Sequence, residues 1–470
     1  MTRNAFPMSR FFILPCALLA GCVVGPHYQE PKADAPAHFA SQPDGAASRA
    51  AENQWWKRLK DPQLNALMVE AEARNRDIKV AEAHLKEARA LWRQARFDLL
   101  PTVTSEAGYT NTLTSKALSP SGHPASSELH EVALDASWEL DFFGRVRRSI
   151  VAAMETEEAV AAQRDALLID LRADVAMNYL LLRGAQAQLD VARQNATNQA
   201  DSLRVAEASL KGGRGTQLDV ARARALWNTT LASIPQLQSS IDQSIHRIAV
   251  LCGSAPSVLR PKLGIAKALP STPSSIPLAK PAEILRHRPD IRVAERNLAA
   301  VTERVGIATA DLFPRVTFNG SIGLQGQTLE ALGKGGAEAY SFGPHLTWAA
   351  FDLGRVRQQV VAAGARAEAA LGQYEQTVLL ALEGTENALT SFGRERQRLQ
   401  YLNEATKAAE EAANLARERY KDGVASFLDV LDAERVALSA QNDAVASQTR
   451  VATAWVSVYK AMGAGWGDGK

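Results

Sequence analysis

The sequence predicts an α+β membrane protein with an internal two-fold repeat, in which long helical hairpins continue from a β-barrel that several copies of the chain must build together. Three observations carry this reading. Residues 145–251 return 210 positions later as residues 355–461. Four segments of about ten to twelve residues alternate between apolar and polar side chains, the dyad pattern of a membrane barrel strand. The long helical runs that leave these segments are balanced by broken runs that return to them.

The repeat is read by counting. Trp138 aligns with Trp348, Gly144-Arg145-Val146 with Gly354-Arg355-Val356, and Val151-Ala152-Ala153 with Val361-Ala362-Ala363. Lys211 aligns with Lys421, Gly213 with Gly423, and Leu218-Asp219-Val220 with Leu428-Asp429-Val430. Self-similarity held at one offset marks a duplicated unit. Composition adds bounds. The chain is 46% hydrophobic and 22% charged with net charge +2, an ordinary globular balance. A charge so near zero gives no reason to expect nucleic acid as a partner. No stretch after residue 22 is apolar for the length a spanning helix needs, so no transmembrane helix is expected.

Residues 1–21 read as a signal peptide. Arg3 and Arg10 form a basic start, and residues 11–20 an apolar run too short to span. The run ends in Leu19-Ala20-Gly21-Cys22, which resembles the lipobox of bacterial lipoproteins. That resemblance implies cleavage after Gly21 and a lipid-bearing Cys22, with N-palmitoyl and S-diacylglycerol groups. By the same resemblance, Val23 rather than Asp in the next position favours the outer membrane over retention at the inner one. Cys16 leaves with the signal and Cys252 is then alone, so the mature chain forms no internal disulfide. No other cofactor is expected.

Residues 22–62 contain Pro26, Pro31, Pro36 and Pro43 and read as a tether rather than a core segment. Residues 63–99 turn helical, with Leu64, Leu67, Met68 and Ala71 at three- and four-residue spacing, and Pro101 ends the run. The period then changes to two. Strands are expected at 102–113 and 129–140, and in the second half at 315–325 and 340–351. Val132, Leu134, Ala136, Trp138 and Leu140 share one face of the second; Glu131, Asp135, Ser137 and Glu139 share the other. Four strands cannot close a barrel, and an open edge is not tolerated in lipid. The barrel must be shared: two copies would leave a lumen filled by side chains, three would leave room for a passage.

The run Arg145–Lys211 would extend roughly 100 Å as one helix, far more than a membrane thickness, and so must project into the periplasm. Residues 217–251 and 282–312 form the broken return of the first hairpin, separated by the Pro- and Ser-rich linker 252–281. Residues 352–421 are the second outbound helix; 427–462 and 63–99 are its broken return. The tether, the linker and the tail 463–470 are expected to gather at the breaks as a belt. The chain is thus read as a first structural repeat at 63–251 and a second at 282–462. Pro235 is expected to kink its helix.

No enzyme constellation is present: there is no G-x-S-x-G, H-E-x-x-H or P-loop, and His and Cys are not clustered for a metal. Lys211-Gly212-Gly213-Arg214-Gly215-Thr216 reads as a tight turn rather than an anion cradle, because its repeat partner lacks the glycine density. Asp219, Asp429 and Asp432 fall in the first turns of the return helices, where the macrodipole alone favours acids. Asp429 and Asp432 share a face, and in a ring of copies they would form acidic girdles of the kind that set cation preference.

At these residues a family is recognisable. Asp61-Pro62-Gln63-Leu64, the run Trp138-Glu139-Leu140-Asp141-Phe142-Phe143-Gly144-Arg145-Val146-Arg147-Arg148, Arg288-Pro289-Asp290-Ile291-Arg292-Val293-Ala294-Glu295, Phe313-Pro314-Arg315 and Phe427-Leu428-Asp429-Val430-Leu431-Asp432-Ala433-Glu434-Arg435 resemble the outer-membrane factors of bacterial tripartite efflux pumps. This is the TolC-like family, and the likeness is strongest to its NodT-like and OprM-like lipoprotein branch. The resemblance covers the whole chain. It implies a homotrimeric outer-membrane β-barrel, four strands per chain and twelve in total, continued by a long periplasmic α-helical barrel with a mixed equatorial belt. It implies as partners a periplasmic adaptor protein and an inner-membrane pump of the resistance-nodulation-division type, and it implies no enzyme activity. Matched by position, Tyr420 and Asp219 stand where the family has a link that closes the periplasmic aperture. Leu428 and Asp432 stand at its constricting apolar and acidic positions, and Asp429 at a further acidic one. Ala425 departs from the arginine of some members, so the Tyr420–Asp219 link lacks that cation. The implied function is passive conduction of drugs or other small toxic compounds out of the cell; drug, metal ion, solvent and siderophore all remain open as cargo. A reading from another class is a surface-anchored adhesive coiled-coil lipoprotein without a lumen. It shares the long helices but does not account for four two-faced strands.

Overall fold

The computed structural model describes residues 23–32, 34–41, 53–120, 122–273, 275–278 and 280–464. Cys22, the signal segment 1–21 and residues 465–470 of the tail lie outside them. The chain forms two compact units. One comprises residues up to 32, 84–161 and 293–375; the other comprises 33–83, 162–292 and 376–470. Each takes segments from both sequence repeats.

The first unit carries an antiparallel sheet of strands β1 (Thr102–Thr114), β2 (Ala125–Leu140), β3 (Arg315–Gly326) and β4 (Glu338–Thr347), in that spatial order. Its register tests the two-faced reading row by row. Ser105, Leu134, Ile322 and Tyr340 are directly opposite one another across all four strands, and so are Val103, Ala136, Gly320 and Phe342. These rows share one face with Val132, Leu324, Trp138 and Phe318, because side chains alternate with period two. Ile322, Tyr340, Phe342 and Leu346 are exposed on it. The opposite face is polar: Ser137 Oγ donates to Asn319 Oδ1 at 2.9 Å, and Gln325 Nε2 to Glu131 Oε1 at 2.7 Å. Strands β1 and β4 each pair on one side only among the described residues. β2 begins earlier than the alternation suggested, at Ala125, and β4 ends earlier, at Thr347. Apolar residues run on past Thr347, but the Trp348 indole turns away to donate to Leu312 O at 3.0 Å. Trp138 makes the same bond to Leu99 O at 3.0 Å, so both repeats tie a strand end to the preceding helix end in one way.

Helix α3 (Arg145–Lys211) leaves β2 through the motif around Asp141. The Asp141 carboxylate accepts the backbone N–H groups of Val146 (3.1 Å) and Arg147 (2.9 Å), satisfying donors that a helix start leaves free. Gly144 has φ +81°, and a Cβ there would lie 2.9 Å from Val23 Cγ1. Residues 23–32 are thereby strapped onto this unit. Val24 N–H donates to Phe143 O at 3.3 Å. Arg148, 2% exposed, donates to Glu303 Oε2 at 2.8 Å and to Gly25 O at 3.2 Å. Tyr28 donates its hydroxyl to Glu295, whose neighbour Arg296 also reaches Glu155 at 2.8 Å. Residues 23–32 of the stretch read as a tether are therefore held in place, by specific partners on α3 and on helix α7 (Pro289–Ala310).

The second unit holds the main core. Helices α1 (Pro62–Arg74) and α2 (Arg76–Phe97) replace the single run expected at 63–99. The break is at Asn75, which is buried: its Nδ2 donates to Leu251 O at 2.9 Å, and its Oδ1 accepts Ile78 N–H at 3.0 Å. Helix α4 (Gln217–Leu251) continues through Pro235 as a single element. The linker after it carries the short α5 (Arg260–Leu263), and the run expected at 282–312 is likewise two helices, α6 (Pro281–His287) and α7. Pro289 forces that division, since the residue before a proline is pushed out of helical geometry. Helices α8 (Leu353–Lys421) and α9 (Phe427–Ala461) complete the second hairpin. Trp55, 1% exposed, stacks on Tyr459 at 5.2 Å and meets Trp455 edge-on at 5.6 Å. Phe39, Leu259, Leu263, Ile276, Leu278, Met462 and Ala464 join the same cluster, so the segments expected to form a belt share one core. Among the described residues no helix is long and apolar enough to cross a membrane.

Candidate functional site

The two hairpin turns of the second unit are built by one device. Helix α3 ends with Gly213 at φ +72° and α8 with Gly423 at φ +76°, the left-handed conformation that glycine adopts without steric cost. Arg214 N–H returns to Ser209 O and Val424 N–H to Arg419 O, at 2.9 and 3.0 Å, which satisfies the last carbonyls of each helix in a Schellman closure. Three residues later each return helix opens with a capping box. Asp219 N–H donates to Thr216 Oγ1 at 3.2 Å, and Asp219 Oδ2 accepts from Thr216 N–H at 3.1 Å and its hydroxyl at 2.7 Å. Asp429 N–H donates to Ser426 Oγ at 3.3 Å, and Asp429 Oδ2 accepts from Ser426 N–H and Oγ, both at 2.8 Å. Each box satisfies two donors reciprocally. The hydroxyl and backbone N–H of Ser426 hold the Asp429 carboxyl below its usual range, so it stays ionised under mildly acidic conditions.

The residues singled out from the sequence are distributed as follows. Asp219 and Asp429 are repeat-equivalent and both engaged by their caps. Asp432 is exposed and pairs with Arg435 Nη2 at 2.7 Å, one turn on. Leu428 is half exposed at the same helix start. Tyr420 is not joined to Asp219 in one protomer: its hydroxyl lies 3.2 Å from Ser209 Oγ and its ring 5.2 Å from that of Phe427. Asp219 Oδ2 is engaged by its capping box, and the Tyr420 hydroxyl meets α3 instead. Tyr420 packs with Leu203, Ala206, Val220, Ala223, Phe427 and Leu431 in a small apolar clasp that joins both hairpins. Thr216, Ser426 and Ser209 were missed in the sequence. The S/T-x-x-D spacing at 216–219 and 426–429 was the available signal for the first two. No group of side chains suited to hold a metal occurs among the described residues.

Comparison with known proteins identifies the architecture. The family model described as outer membrane efflux protein matches residues 67–254 and 281–464. A solvent efflux pump outer membrane protein, SrpC of Pseudomonas putida, is 31% identical over 456 residues, covering 96% of both chains. Nodulation protein T of Rhizobium leguminosarum bv. trifolii is 31% identical over 468 residues, covering 100% of this chain and 97% of its own. Among solved structures, the outer-membrane channel OprN superposes with TM-score 0.90 at 40% identity, covering 95% of this chain and all of that one. The open state of the Neisseria gonorrhoeae MtrE outer membrane channel superposes with TM-score 0.83 at 29% identity, covering 94% and 98%. The reading as a lumen-less adhesin is not favoured by these likenesses. With the family model spanning most of the chain and near-full-length relatives above 30% identity, the chain belongs to the outer membrane efflux protein family.

Proposed function

We propose that three copies of this chain close twelve strands into one outer-membrane barrel and serve as the exit duct of a tripartite efflux pump. As a family member the chain is an outer-membrane efflux channel and not an enzyme. The observation that carries the reading is the register of the sheet. It gathers the apolar residues of four strands on one exposed face and, among the described residues, leaves β1 and β4 each with an unpaired side, an arrangement that lipid tolerates only once other copies complete it.

In this account the hairpin turns meet a periplasmic adaptor, and the driving energy comes from an inner-membrane pump of the resistance-nodulation-division type. Drugs or other small toxic compounds pass through without chemistry. Leu428, Asp429 and Asp432, with Asp219 and Tyr420 nearby in the two turns, line the periplasmic aperture. Cys22 carries the lipid. The anchor is supported by Val23, the next residue, which lies against Gly144 just past the end of β2.

Two measurements test this. Dye-loaded liposomes containing the protein should leak, and sealed liposomes would exclude a lumen. In planar bilayers, replacing both Asp429 and Asp432 by alanine should raise conductance and weaken cation preference. Unchanged conductance and selectivity would remove the acidic aperture.

A further inference from the structure

Behind the two turns, polar side chains join α3 to α8 and α9 at regular intervals, buried at the second rung and partly or fully exposed at the others. At the first rung Ser209 of α3 meets Tyr420 of α8 at 3.2 Å. At the second, Glu434 of α9 accepts from Ser202 Oγ of α3 at 2.8 Å and from Arg417 Nε of α8 at 3.1 Å. At the third, Asn195 of α3 donates to Gln441 of α9 at 2.7 Å, and Gln441 donates to Glu410 of α8 at 2.6 Å. The positions 195, 202 and 209 on α3 are seven apart; so are 434 and 441 on α9, and 410 and 417 on α8. Seven-residue spacing keeps a side chain on one seam between supercoiled helices, and polar groups on such a seam fix register at some cost in stability.

The second rung differs from its neighbours. Glu434 is 5% exposed, and its Oε2 is buried without a partner among the described residues. Gln199, one turn from Ser202, is 2% exposed and has both amide atoms without a partner. The shielded Glu434 carboxylate, held by a hydroxyl and by the partly exposed Arg417 guanidinium on two other helices, cannot slide past either without losing a charge-assisted bond. Between this rung and the turns, the described contacts are the Ser209–Tyr420 pair, the largely exposed Glu207–Arg224 pair of α3 with α4 at 3.2 Å, and the apolar clasp of Leu203, Ala206, Phe427 and Leu431. Apolar contacts of that kind are non-directional and re-form after small shifts.

We propose that Glu434 is the positioning residue of the periplasmic gate. By holding Ser202 and Arg417 together it sets the boundary between the tip that moves, about residues 203–217 and 418–433, and the helices that stay in register. This rests on the reading of the turns as a gate. It adds where the motion stops and what stops it.

The test is hydrogen–deuterium exchange on the full-length, detergent-solubilised protein. The wild type should show fast exchange on the turn side of Ser202 and Glu434 and slow exchange beyond them. Glu434→Ala should move that step to the third rung, with exchange in 195–202 and 434–441 about tenfold faster, the equivalent of one hydrogen bond to a charged group. Glu434→Gln keeps an acceptor for Ser202 and should leave the step in place. Ser202→Ala, which leaves the Glu434–Arg417 pair intact, serves as a second variant if Glu434→Ala folds poorly, and should also move the step. A step that stays put in both Glu434→Ala and Ser202→Ala overturns the proposal. Bilayer conductance of the Asp429→Ala, Asp432→Ala protein separates the two failures: changed conductance with an unmoved step rejects the fulcrum alone, while unchanged conductance and selectivity reject the acidic aperture on which the gate reading rests, and the fulcrum with it.

Discussion

The same four residues, Gly-Arg-Val-Arg, introduce both long helices, at 144–147 and at 354–357. Their surroundings differ. At the first, Gly144 is in the left-handed region against Val23, Arg145 pairs with Glu139, and Arg148 is buried between Glu303 and the carbonyl of Gly25. At the second, a Cβ on Gly354 would meet nothing within 4 Å, and the Arg355–Asp352 pair is largely exposed. Gln358 stands where the first repeat has Arg148, and exposed Phe351 where it has Asp141. Duplication copied the helix start, and the chain's own N-terminal strap then made one copy a packed junction. A repeated motif therefore fixes local geometry without fixing the contribution of each residue in it.

That contrast can be broken or sharpened by substitution. The largest effect is expected from Arg148→Ala, which leaves Glu303 buried without its cation and should cost about 3–5 kcal/mol in denaturant unfolding. Gln358→Ala, its exposed counterpart, should cost less than about 0.5 kcal/mol. Next, Gly144→Ala and Gly354→Ala should have opposite signs. The first forces a side chain into φ +81° and into Val23, and should destabilise by more than about 1 kcal/mol. The second sits in an open helix start and should stabilise by about 0.5–1 kcal/mol. Equal thermal shifts for the two glycine variants would erase the distinction between the junctions. Trp138→Phe and Trp348→Phe are the control, since both indoles make the same 3.0 Å bond to a helix end. They should cost about 1 kcal/mol each.

The smallest effect is a pH dependence at the strap. Burial raises the Glu155 carboxyl above its ordinary range, against the opposing pull of Arg296, with Glu158 and Glu295 adding repulsion; Tyr28 completes the cluster from the strap. An acid whose folded value is raised contributes stability that is fully present below its unfolded value and is lost as pH rises through the folded one. As pH falls toward the ordinary glutamate range, melting should therefore show Glu155 adding stability, and Glu155→Gln should flatten that gain. An unaltered slope in the variant would assign the dependence to other groups.

Much of this was legible in the sequence, and the gaps have physical causes. The sheet was readable because membrane strands alternate with period two, and the register gathers the apolar residues of the strands on one face, with Ser105 and Gly320 among them and Trp348 beyond the sheet. The end of β4 was not, since Trp348 and Phe351 continue the apolar composition while the hydrogen bonding stops at Thr347. The long helices were readable as uninterrupted runs, but the break at Asn75 rests on a partner far away in sequence, Leu251; the break at Arg288 was signalled by Pro289, and Arg288 then reaches Ala461. The segment before residue 62 misled by its prolines: Trp55 and Tyr28 are anchored by residues some 400 and 267 positions distant, a relation no local pattern carries. At the turns, Asp219 and Asp429 could be found as first-turn acids and Thr216 and Ser426 by their S/T-x-x-D spacing, whereas the contact of Tyr420 with Ser209 spans 211 positions and has no local signal.

The central claim is that the four-stranded sheet is completed by other copies of the chain. Native mass spectrometry of the detergent-extracted protein tests it most directly. The account predicts a trimer whose subunits lack residues 1–21 and carry a lipid adduct on Cys22. A monomer that stays folded without detergent and carries no lipid would mean that the sheet is complete in one chain, and would contradict it.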